Sequence, residues 1–261
     1  FAKEVGATFE FDELVQRAEG GYRVFFNLED TDAETVYDDP DDIPLPLRRA
    51  VRHIRESLDR EALRAAVDDV EGVVFFGVAT TRESVSYELD SMPPFLGTDV
   101  WSADGEAFRP PDAADNIFER LGLQPVNSFE RETHARDFAV DAYEVPQSAW
   151  YDGPAAGVVI RNKQGERGKL LNPAVEAADE EQPSESSTEE LAEDATTQAR
   201  IDAVAATLES AGQPVSVDAV TERLLEMIGR TQPSRFTGPD SVDTGALRSA
   251  IASRVQQSLQ Q

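Results

Sequence analysis

Ala155-Ala156-Gly157-Val158-Val159-Ile160-Arg161-Asn162-Lys163 continues through Gln164-Gly165-Glu166-Arg167-Gly168 to Lys169-Leu170-Leu171-Asn172-Pro173. Small residues at 155–157 lead into a β-branched run, the pattern of a buried strand. The polar, glycine-containing stretch 164–168 is a hairpin turn that returns the chain into a second short strand carrying Lys169. The chemistry here is unusual for this chain. Lysine occurs only at positions 3, 163 and 169, and the remaining 21 basic residues are arginine. Arginine stays protonated at any usable pH, whereas a lysine amine can lose its proton and attack an electrophile. Chance survival of three lysines is the alternative.

Outward from this stretch, 261 residues suffice for one substantial core and a second small domain. The 51 acids and 24 bases give a net charge of −27. Acids throughout, with arginine in place of lysine, resemble proteins adapted to concentrated salt, where charge is screened within about 3 Å at roughly 1 M. A nucleic-acid partner is then still open, but its phosphates need a local basic patch. No cysteine is present, so no disulfide framework or thiolate metal site exists. No apolar run approaches membrane-spanning length and no signal peptide is visible, which predicts a soluble cytoplasmic protein. A chain opening on Phe1 without Met is expected to have lost something upstream.

The first residues, Phe1 to Phe11, have a lysine at 3, a glycine bend at 6, and alternation at Ala7, Phe9 and Phe11. They predict a strand paired in a hairpin with Tyr22 to Phe26, before an acid-rich loop over 28–43. Pro44 and Pro46 open a helix with Leu47, Ala50, Val51, Ile54 and Leu58 on one face. Arg48, Arg49, Arg52 and Arg55 on the other face are either a phosphate cradle or, more ordinarily, ion-pair partners; His53 lies beside them. A second helix is expected over 61–68. Val73 to Val78 is an apolar strand, Ser84 to Leu89 an edge strand, and Phe95 to Trp101 a central strand. That central strand contains one acid, Asp99, which needs a partner as a hydrogen-bond hub or a site residue. Asp112 caps a helix over about 112–121. Residues 126–139, with His134, mix strand and loop. The irregular alternation predicts an α+β domain on antiparallel sheets.

Residues 174–198 lack bases and are rich in Glu, Asp, Ser and Thr, which predicts a disordered acidic linker. Beyond it three amphipathic helices run through Ile201–Leu208, Val217–Ile228 and Leu247–Val255, a small all-α domain over 199–261. Phosphate loops, dinucleotide fingerprints, zinc-protease helices and nucleophile elbows are absent.

Taken in order, Lys3-x-x-Gly6, Phe75-Phe76-Gly77, Phe95 to Trp101, Gly157 to Arg161 and Lys169 to Pro173 resemble the motif series of the ATP-dependent RNA ligases. These are covalent nucleotidyltransferases. The resemblance covers 1–173 and implies a nucleotidyltransferase (ATP-grasp-like ligase adenylation) domain of antiparallel sheets with flanking helices. It implies ATP with Mg²⁺ or Mn²⁺, a lysine–AMP intermediate, and RNA 5′-phosphate and 3′-hydroxyl ends as partners. Lys3 would be the nucleophile, Phe95 would stack on adenine, Lys169 would hold a phosphate, and Gly6 and Arg161 would complete the nucleotide site. No protein metal ligand is assigned. Burial or a neighbouring cation would lower the amine's pKa from about 10.4. Four positions depart from the series: Val5, Val78, Ala156 and Leu171 stand where the family carries two acids, a glutamate and a second lysine. Three readings follow: a divergent ligase, a non-catalytic relative that binds nucleotide or RNA ends, or an unrelated halophilic interaction protein.

Overall fold

The computed structural model describes residues 25–26, 35–36, 43–82, 85, 87–131, 142–161, 167–173, 187–236 and 241–260. Among these residues the chain is α+β, with seven α-helices and three small antiparallel sheets. β1 (Phe25–Phe26) pairs with β2 (Thr35–Val36). The expected partner at 7–11 lies outside the described residues, and the observed partner comes from the stretch read as loop.

Pro44 and Pro46 start α1 (Leu45–Ser57), their fixed φ suiting the first turn of a helix. Asp59 caps α2 (Arg60–Ala66) by accepting the Ala62 N–H at 2.8 Å. β3 (Val73–Ala79) pairs antiparallel with the fully buried β4 (Phe95–Ser102), and β5 (Ala107–Phe108) pairs with the end of β4. α3 (Pro111–Arg120) follows, its Asp112 lying inside the first turn and paired with Arg131 instead of capping the helix. Among the described residues of 84–89 the expected edge strand is not formed. Its described residues enter a turn, and Val85, Tyr87 and Leu89 are buried by packing against Met92, Leu96 and Ala156.

A bulge organises the sheet. Phe76 pairs with Asp99 but Gly77 pairs with Gly97, so Thr98 is one residue too many in β4. The extra residue shifts the side-chain alternation. Phe75, Val100 and Phe95 face α1 and α3, where the Phe75 and Phe95 rings lie 5.8 and 6.3 Å from Phe118. Phe76, Leu96, Asp99 and Trp101 take the opposite face. Gly97 admits the Phe118 ring, whose atoms would lie 2.4 Å from any Cβ there.

β6 (Gly157–Arg161) and β7 (Arg167–Leu171) form the antiparallel ribbon expected from their sequence. Only Val158 in it is buried. Its base is fixed to the main body where the Tyr87 hydroxyl accepts the Ala156 N–H at 3.0 Å.

The acidic linker requires correction. Within 174–198, residues Thr188–Ala195 form helix α4, closed by a capping box between Ser187 and Glu190. Leu191, Ala192 and Ala195 are buried with the three expected helices, α5 (Gln198–Ser210), α6 (Val217–Thr231) and α7 (Thr244–Leu259). Nor is this helical layer detached from the sheet. α1 packs antiparallel on α6, with Gly229 so close to Leu45 that a Cβ would sit 2.7 Å from its carbonyl oxygen. Leu45 belongs to the helical core.

Charge pairing follows the same seam. Arg52 Nε donates to both oxygens of the buried Glu226 carboxylate at 2.6 and 2.9 Å, and Arg223 donates to Glu56 at 2.6 Å. For Arg52 the ion-pair reading of the α1 arginines therefore holds. Arg230 goes further. Its guanidinium donates to the carbonyls of Thr80, Leu89 and Met92 and to the Thr80 hydroxyl, at 2.6–2.8 Å. Burial pushes its pKa down to about 10, with Arg49 adding to the effect and Asp90 opposing it.

His53 Nδ1 lies 3.3 Å from the Ser57 hydroxyl. Burial first, then Arg49 and Arg230, hold its imidazole below the ordinary 6.5, against Glu56. A depressed histidine pKa means that the unfolded chain binds more protons, so stability falls as pH drops from neutrality through 6.5. His53→Gln is expected to flatten that part of the profile, measured as denaturation midpoint against pH with the wild-type chain as reference.

Candidate functional site: an arginine and aromatic face

In the ribbon, Arg161 pairs with Arg167 and Val159 with Lys169. Alternation therefore places Arg161, Arg167 and Lys169 on one side of it. That side meets the bulged face of the sheet. Arg161 grips the Asp99 carboxylate with two nitrogens at 2.7 and 3.1 Å and also donates to the Thr98 carbonyl at 3.2 Å. Arg167 donates to the same Asp99 oxygen at 3.1 Å. Two guanidiniums share one carboxylate, which leaves an excess of positive charge.

Aromatic groups adjoin these cations. The Arg167 guanidinium carbon lies 5.9 Å from the centroid of the Phe108 ring, within cation–π range. Phe108 in turn lies 5.4 Å from Phe76, and it keeps 41% of its surface exposed. Arg109 turns the other way, donating to Ser102 at 3.2 Å. In sequence, the stretch 155–173 holds four bases against one acid, in a chain of net charge −27.

The expected site residues divide as follows. Arg161 and Lys169 share a ribbon face, and Arg161 is committed to Asp99. Phe95 is 8% exposed with its ring against Phe118, because the bulge turns it into the helix-facing core. A ring so enclosed has no face for a base. Lys3 and Gly6 lie outside the described residues. Asp99 was legible from the sequence as a buried acid in need of partners, and it is the hub. Phe108 and Arg167 were not singled out, although an aromatic at a strand end and an arginine opposite Arg161 were available signals.

The donors do not suit a catalytic metal. Among the described residues no three His, Cys, Asp or Glu side chains converge, and Asp99 is occupied by two arginines. Nor is any helix among them long and apolar enough to cross a membrane. No family model, no curated protein and no solved structure matches this chain.

Proposed function

We propose that the chain is an RNA-ligase-like protein that binds nucleotide or RNA ends without sealing them. The observation that carries this reading is the cluster of Arg161, Arg167 and Lys169 beside Phe108, on a stretch that holds four bases against one acid in an acidic protein. Cations there favour a phosphate, and the aromatic group favours a base. The motif series supplies the link to nucleotidyltransferases. The valines at 5 and 78 and the alanine at 156 supply the case against turnover, since they cannot ligate metal or ribose.

Incubation with α-labelled ATP and Mg²⁺ or Mn²⁺, followed by a denaturing gel, tests the reading. No covalent adduct is expected, whereas ATP or 5′-phosphorylated RNA should bind and Lys169→Ala should weaken that binding about tenfold, the scale of one phosphate contact. An adduct that disappears in Lys3→Ala would restore the ligase reading. Failure to bind either ligand would leave only an acidic interaction protein.

A further inference from the structure

The ribbon face that carries Arg161, Arg167 and Lys169 lies beside the exposed Phe108 ring. We infer that this face holds an unpaired RNA segment, with a base stacked at the Phe108–Arg167 pair, and that stacking supplies most of the affinity. The inference rests on the nucleotide- and RNA-binding reading and names its substrate class.

Three observations lead to it. Phe108 is exposed at the end of a two-residue strand, buttressed by Phe76 and covered in part by a guanidinium plane. An aromatic ring beside an arginine is a sequence-tolerant platform for a base, and only a base outside a duplex can reach it. Next, this face offers few cations to phosphates. Of its three cations, Asp99 holds Arg161 through two nitrogens and Arg167 through one. Finally, the remainder of the protein repels a polyanion, with 51 acids against 24 bases. Salt screens that repulsion together with the local attraction, but it leaves stacking almost untouched.

The expected signature is therefore selective binding that survives concentrated salt. With two phosphates engaged, log affinity should fall against log salt with a slope no steeper than about −1.4, from about 0.7 per phosphate for single strands. The experiment is fluorescence anisotropy of the full chain with a short unstructured RNA labelled at its 3′ end, from about 0.1 to 1 M KCl. The same RNA annealed to its complement is the comparison. Single strands should bind at least about tenfold tighter than the duplex, and Phe108→Ala should lose roughly 5- to 150-fold, the range for one stacked base. Phe108→Trp, which restores the ring, should restore binding. Circular dichroism of each variant separates lost binding from lost folding. Equal affinity for duplex and single strand, or an unchanged affinity in folded Phe108→Ala, would overturn the inference. Equal binding of 5′-phosphate and 5′-hydroxyl RNA, with the Phe108 effect retained, would refute end recognition while supporting the stacking platform.

Discussion

Arg230→Ala is expected to lower the free energy of unfolding by about 3–5 kcal/mol, near the upper end of what one side chain can cost a domain. Its guanidinium donates to four acceptors from the 80–92 segment, and truncation takes that donor from three carbonyls while the Thr80 hydroxyl keeps its bond to the Pro93 carbonyl. Each orphaned acceptor costs about 1–3 kcal/mol. The three carbonyl costs do not add fully, because the mutation also removes a cation whose burial is unfavourable enough to push its pKa down to about 10. Arg230→Lys separates geometry from charge. An ammonium keeps the charge but cannot present a planar fork to four oxygens, so most of the loss should persist. Urea denaturation in concentrated KCl measures both variants. A loss below about 1 kcal/mol for Arg230→Ala would mean that the segment finds other donors or water.

Asp99→Asn is expected to cost about 2–4 kcal/mol, somewhat less than a fully buried pair loses when one partner is removed. The carboxylate is 5% exposed, while Arg161 and Arg167 are 22% and 35% exposed. Partly wetted guanidiniums can recover some solvation, which sets the upper limit. The damage should be local. Ribbon amides over 157–161 and 167–171 should lose hydrogen-exchange protection, while helical amides in 217–231 keep theirs. Uniform loss of protection across both regions would show that Asp99 supports the whole molecule and not the ribbon.

These two residues also mark how far the sequence could be read. Asp99 was legible because an acid inside an apolar strand demands a partner, whatever the fold. Its partners, from ribbon positions more than 60 residues away, were not. Arg230 carried no such mark, being one arginine among many on an amphipathic helix. The ribbon was read correctly from its β-branched run and glycine-containing turn. α4 was missed because composition was allowed to outweigh local signals: Ser187 and Glu190 have capping-box spacing, and Leu191 and Ala195 share a face. The stretch Val85, Tyr87, Leu89 shows the converse error, since alternation reports burial on one side and a packed turn can satisfy it. The Thr98 bulge was invisible to periodicity, and it alone decides that Phe95 joins the core instead of facing a ligand.

The pairing of α1 with α6 has a consequence for how the protein is made. Arg52 meets Glu226 across 174 positions of chain, so at ~5–20 residues per second a ribosome delivers the second helix roughly 9–35 s after the first. Throughout that interval Leu45, at the start of α1, lacks the helices that bury it, and Arg52 lacks the Glu226 carboxylate. The density of acids on the growing chain can keep such half-made molecules apart from one another until the final helices arrive.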